Sequence, residues 1–190
     1  MTTAWQRNSN RRDTKAAEAG QALVELAVAV LVMAVLAFGL IDFGRAIYDQ
    51  EVLSNLSREG SALAAHGTTP TAAAAAVVQG SDLNNFNSTS TTQGLVIVTV
   101  VQNTGSAGSP HCVITAQVSN GGLAATSKIG TNGGIATGLA SCSGATPIPQ
   151  PNSYVYATEV FYSYSTITPI GKLLTSTMPS QLYDAAYFSM

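Results

Sequence analysis

The stretch from Ala22 to Ile41 holds a single charged residue, Glu25, in a run of otherwise apolar or small side chains. About twenty such residues wound as a helix reach roughly 30 Å, the thickness of the hydrocarbon core of a bilayer. A cleaved secretory signal has a shorter apolar core, of roughly 7–15 residues, ending at a small-residue cleavage site. This run is longer. No Ala-x-Ala pattern follows it closely, and Ala62-Leu63-Ala64 lies too far on. The run therefore predicts a retained membrane helix over residues 21–41.

Charge placement sets the expected orientation. Only 9% of the residues are charged, and Arg7, Arg11, Arg12 and Lys15 make up half of the eight Lys and Arg. Basic residues stay on the cytoplasmic side of a span. The expected topology is single-pass in the cytoplasmic membrane, with N-terminus in and everything after the span extracytoplasmic. The four remaining basic residues form no stripe, so nucleic acid is not an expected partner. Lipid is. Residues 1–20 have no apolar period and read as a disordered polar leader.

The helical pattern does not stop at Ile41. No proline occurs before Pro70. Leu53, Leu56, Gly60 and Leu63 recur at spacings of three and four, with Glu51 and Arg58 on the other side, which is an amphipathic pattern. Asp42 and Arg45 read as charges marking the membrane exit, with functional contacts as the alternative. Arg45 and Asp49, four apart, are placed to pair on the helix surface. The spacing predicts one helix from about Gln21 to about Ala65, its first half in lipid and its second half (42–65) packed on a soluble domain. Gly67 and Pro70 end it. "TAAAAAVV" (71–78) predicts a short second helix, since Ala is the best helix former.

Strand signals follow. Leu95–Val101 is a continuous β-branched run. Val113–Ser119 alternates, with Ile114, Ala116 and Val118 on one face. Tyr154–Tyr164 sets Val155, Ala157 and Phe161 opposite Tyr154, Tyr156, Val160 and Tyr162. Leu182–Met190 adds a last strand. One long helix followed by meandering strands predicts an α+β domain over residues 66–190, with an antiparallel sheet on the helix. Between the strands lies a long Gly-, Ser- and Pro-rich loop over 120–152.

Cys112 and Cys142 both fall beyond the span. An oxidising compartment permits a disulfide between them, closing a loop of about 30 residues. Two free thiols are the alternative.

Catalytic chemistry is hard to build from this sequence. His66 and His111 are the only histidines and lack metal-site spacing. There is no nucleophile elbow, phosphate loop or dinucleotide fingerprint. After Glu59 the acids are Asp82, Glu159 and Asp184, too few and too dispersed for a hydrolytic pair. Glu159 falls mid-strand, facing solvent or bonded to a neighbour. The expectation is no enzyme, no cofactor and no metal.

Glu25 needs an explanation, because an acid inside a span is costly. It stands five residues after Gly20, behind a basic leader and at the head of an apolar run. Downstream come Asp42-Phe43-Gly44-Arg45-Ala46 and Asn55-Leu56-Ser57-Arg58-Glu59-Gly60. Over Gly20–Ala65 this arrangement resembles the N-terminal region of the TadE-like family, pilin-like proteins of the tight-adherence (Flp, type IVc) pilus machinery. The resemblance implies cleavage after Gly20 by a membrane prepilin peptidase, leaving Gln21 as the new N-terminus. Glu25 would take the place of the acid that pairs with the N-terminal amine of a neighbouring subunit. Implied partners are that peptidase, other pilin-like subunits and the assembly machinery. The chain departs from major Flp-type pilins, which are very short and often have Tyr after the acid. Here Leu26 follows, and a domain of about 125 residues is attached. The resemblance thus implies a minor pilin or pseudopilin. The competing expectation is an anchored extracytoplasmic binding or adhesion domain that is never processed.

Overall fold

The fold is described from a computed structural model that covers residues 3–83, 86, 93–106, 111–139, 142, 150–169 and 179–189, with side chains from Gly20 onward. The element order is α1 (Thr3–Ala65), α2 (Pro70–Gly80), β1 (Gly94–Asn103), β2 (Cys112–Gly121), β3 (Tyr154–Ser163) and β4 (Gln181–Ser189). The chain divides into two compact units. One is α1 as far as Gly44 with the segment that starts at Thr166; the other is Arg45–Ser165 with Thr175–Met190.

Helix α1 begins at Thr3, not near Gln21, so the leader expected to be disordered is helical from that residue on. The leader contains no proline, and Ala16, Ala17, Glu18 and Ala19 stand just before its last residue, Gly20. Extending an existing helix costs little per residue even through weaker helix formers, because nucleation has already been met downstream. At the other end Gly67 adopts φ +92°. Its N–H donates to the Ala64 carbonyl at 3.3 Å, and the Thr68 N–H donates to the Leu63 carbonyl at 3.1 Å. This is a Schellman cap, which requires a left-handed residue that glycine supplies without strain. Helix α2 starts on Pro70, with Thr69 as its N-cap accepting from the Ala72 N–H at 3.3 Å.

The sheet order is β2-β1-β3-β4, and every neighbouring pair is antiparallel. The continuous run in β1 has a plain cause. Both faces of this central strand are covered, and of Gly94–Asn103 only Gln102 is not fully buried. On one face pack Leu53, Leu56 and Ala64 of α1 and Ala73, Ala74, Val77 and Val78 of α2, against Val96, Val98, Val160 and Tyr162. Burial of each Leu or Val side chain here contributes about 1.5–3 kcal/mol. Glu51 and Arg58 remain exposed on the far side of α1.

The other sheet face is covered by the Gly- and Ser-rich segment. Ile129, Ala136 and Leu139 bury against Val101, Ile114, Val155 and Ala157. Leu123 and Ala125 lie on Leu95, Ile97 and Phe161. The segment also shields the β2 edge. Ile114 donates its N–H to the Gly134 carbonyl and accepts from the Gly133 N–H, and the Ala136 N–H reaches the Cys112 carbonyl, each at 2.9 Å. A disulfide joins Cys112 to Cys142. Residues 140, 141 and 143–149 of the 120–152 loop lie outside the described residues.

Alternation along β3 follows the sequence pattern. Val155, Ala157 and Phe161 face the loop layer, while Val160 and Tyr162 face the helices. In β2 the alternation is interrupted. Val100 pairs with Ala116 but Val101 pairs with Ile114, so Thr115 is the extra residue of a β-bulge. Ile114 is fully buried, whereas Ala116 and Val118 are only partly so.

Candidate functional site

The N-terminal half of α1 has an unusual surface for a folded chain. Every large hydrophobic side chain from Leu23 to Ile41 is exposed, from 39% at Val35 to 73% at Leu40. Exposed apolar area on this scale needs a non-aqueous neighbour. Among the described residues this helix alone is long and apolar enough to cross a membrane, and none of its apolar window is buried within the fold.

Gly20, Gln21 and Glu25 lie at the head of this surface, and all three are exposed. A Cβ on Gly20 would meet nothing within 4 Å. Packing therefore does not require glycine there. Gln21 and Glu25 are four apart and share one helix face. Glu25 has no hydrogen-bond or ion-pair partner among the described residues. An acid at the edge of an apolar surface, unmatched within its own described chain, is available to a positive charge on another molecule.

Asp42 closes the apolar run at the opposite end. It is fully buried. Its Oδ1 accepts the N–H groups of Ile167 at 3.1 Å and Thr168 at 3.2 Å, and its Oδ2 accepts the Thr168 hydroxyl at 2.5 Å. Asp42 is thus more than a charge marking the membrane exit. Nothing local in the sequence points to Thr168, because the two residues are 126 apart.

One turn further on, Arg45 Nε stands 3.8 Å from Asp49 Oδ2. The pair forms, but Asp49 is buried and not at the surface. Asp49 follows Ala46 by three residues and precedes Leu53 by four, and both are core residues, so its carboxylate lies in the apolar stripe. Burial raises its pKa above the ordinary value, partly offset by the Arg45 charge.

Glu159 is also buried rather than facing solvent. It accepts from the Ser127 hydroxyl, from the Lys128 N–H at 2.8 Å and from the Tyr183 hydroxyl at 3.1 Å. These partners tie the loop layer and β4 to the centre of β3. Lys128 Nζ lies 3.4 Å over the Tyr183 ring. Three donors from the chain itself leave this carboxylate with a structural role. Among the described residues, no group of three or more His, Cys, Asp or Glu is placed to hold a metal ion.

Neither the curated proteins nor the solved structures contain a match to this chain. A family model does match. It begins at Gly20, takes in Glu25, Asp42 and Arg58, and ends within the Schellman-capped half of α1: residues 20–62 match the family described as TadE-like protein.

Proposed function

We propose that this chain is a structural subunit of a tight-adherence (Flp-type) pilus, a minor pilin or pseudopilin, matured by a prepilin peptidase that cuts after Gly20. The observation that carries this reading is the family match, which starts at Gly20 and runs through the exposed apolar helix and Glu25. Before cleavage, Arg7, Arg11, Arg12 and Lys15 hold the helix to the inner face of the membrane. Cleavage removes them and creates an α-amine at Gln21. The anchored precursor becomes a subunit that can leave the bilayer sideways into a helical assembly.

Glu25 then acts as the register mark. Its charge is costly toward the centre of a bilayer, by roughly 2.5–3.5 kcal/mol, and less near the end, where it lies. A neighbour's Gln21 amine neutralises it best at one axial offset. The Cys112–Cys142 disulfide fits an extracytoplasmic domain, where thiols oxidise. The reading assigns no catalysis, and it names the peptidase, other pilin-like subunits and the assembly machinery as partners.

Mass spectrometry of the protein expressed with and without a prepilin peptidase tests this. The expected result is an N-terminus at Gln21 that needs the peptidase and is lost when Gly20 is replaced by a bulky residue. An uncut chain in both conditions overturns the reading in favour of a permanently anchored binding domain.

A further inference from the structure

Asp42 is the first residue after the apolar run that ends at Ile41. If Ala22–Ile41 fills the hydrocarbon core, Asp42 stands where acyl chains give way to headgroups. A carboxylate there is costly unless it is matched, and irregular backbone at that depth is tolerated only when its polar groups are satisfied by protein. One contact matches the Asp42 carboxyl group and two of the segment's backbone N–H groups together. The β3–β4 connection brings the N–H groups of Ile167 and Thr168 and the Thr168 hydroxyl onto the two Asp42 oxygens. Asp42 is fully buried and Thr168 nearly so. Three donors converge on this one carboxyl group, so Ile167 and Thr168 are held at the exit of the span.

What the contact leaves outside is apolar. Ile167 is 60% exposed, although its backbone N–H is bound to the carboxylate. The residues flanking Asp42 in sequence, Ile41 and Phe43, are 54% and 57% exposed. We infer that the 166–169 segment is a membrane-contact element, clamped by Asp42 at the outer lipid boundary so that Ile167 enters the bilayer interface beside the Ile41–Phe43 turn of α1. The occupant of this surface is phospholipid, because the exposed apolar side chains of Ile41 and Phe43 continue those of the span without a break other than the buried Asp42. The clamp fixes the height of Ile167 and Thr168 against the lipid surface. The inference rests on reading α1 as a span, and its test separates the two.

The sole tryptophan is Trp5. In a Trp5→Phe background, the full-length protein is reconstituted into phosphatidylcholine vesicles with a single tryptophan at Ile167 or, as a depth control, at Leu31 in mid-span. Bromine on the lipid acyl chains, near the carbonyl end or at mid-chain, quenches tryptophan at matching depth. The expected result is loss of Ile167→Trp emission to carbonyl-end bromine and loss of Leu31→Trp emission to mid-chain bromine. Adding Asp42→Ala is expected to abolish quenching at position 167 and leave it unchanged at position 31, while Asp42→Asn, which keeps an acceptor oxygen, retains part of it. Full quenching at position 167 in Asp42→Ala overturns the clamp. If Leu31→Trp is quenched and Ile167→Trp is not, the membrane-contact inference is overturned and the span stands. If neither is quenched, the span reading fails and the inference fails with it. The Ile167→Trp measurement stands even where Asp42→Ala does not fold.

Discussion

Gly60 of α1 lies directly against Thr158 of β3: a Cβ at Gly60 would stand 2.7 Å from the Thr158 Cγ2 and 2.9 Å from its Oγ1. Val77 of α2 closes the same space, with its Cγ2 2.9 Å away. Glycine here is a packing requirement, set where helix and sheet come into close approach. Gly60→Ala is expected to destabilise the fold by about 1–3 kcal/mol through overpacking, despite the better helix propensity of Ala. Gly44→Ala, where a Cβ meets nothing within 4 Å, is the control and is expected not to destabilise. The Thr158 hydroxyl is buried without a hydrogen-bond partner among the described residues. Thr158→Val keeps the shape and removes the unmatched group, so it is expected to stabilise by about 1 kcal/mol. Denaturant unfolding in detergent reads all three.

Glu25 is exposed and has no partner among the described residues, so its chemistry is separable from folding. Glu25→Gln is expected to leave thermal stability and membrane insertion unchanged while reducing recovery of the subunit in sheared pilus fractions. Normal recovery of Glu25→Gln would remove the charge-pairing role.

The parts of this fold that were legible in the sequence are those set by local periodicity. The apolar run, the Leu53/Leu56/Gly60/Leu63 stripe and the two faces of Tyr154–Ser163 each repeat within a few residues. Gly67 announced its cap because a left-handed residue is needed there. What stayed hidden depends on distant partners. Glu159 accepts from residues 31 and 32 positions away, so mid-strand position alone left it between solvent and a neighbour. Asp42 and Thr168 meet across 126 residues. The loop layer was unreadable for another reason. Ile129, Ala136 and Leu139 are spaced irregularly among glycines, and no period marks them as core.

Asp49 supplies a pH signature. Burial raises its carboxyl above the ordinary 3.8, with Arg45 pulling it back down. Between the ordinary and the raised pKa the folded state therefore binds this proton more tightly than the unfolded chain does. Its contribution to stability is greatest below about pH 4 and declines as pH rises through the raised pKa. Asp49→Asn is expected to flatten that decline, seen as a smaller loss of stability than wild type on going from acid to neutral pH. An unchanged slope would show that Asp49 ionises normally.

At alkaline pH the sign follows from the tyrosines. Burial raises the pKa of Tyr162, Tyr183 and Tyr187, and for Tyr183 and Tyr187 the Glu159 charge adds to the effect. The unfolded chain ionises near the ordinary 10.0, so stability is full below that pH and falls as pH rises beyond it. Tyr183→Phe is expected to reduce this alkaline loss. It also removes the hydroxyl that donates to Glu159, at a cost of about 0.5–1.5 kcal/mol at neutral pH. Unfolding curves at neutral pH and above about pH 10 read both effects with opposite signs.

The Cys112–Cys142 bridge acts on one face of the sheet. It joins residues 30 apart, so loop-closure entropy alone makes it worth about 3–4 kcal/mol. Cys112 is in the cluster with Ile129, Ala136 and Leu139, while Leu53, Leu56 and Val77 belong to the cluster on the opposite face. Loss of the bridge is therefore expected to loosen the loop layer before the helix–sheet layer. In Cys142→Ser, amide exchange at Ala136 and Thr137, which donate to the Cys112 and Ile129 carbonyls, is expected to rise well above that of β1. Equal acceleration in both would mean that the two layers unfold as one cooperative unit, and the loop layer would then be as integral to the fold as the helices.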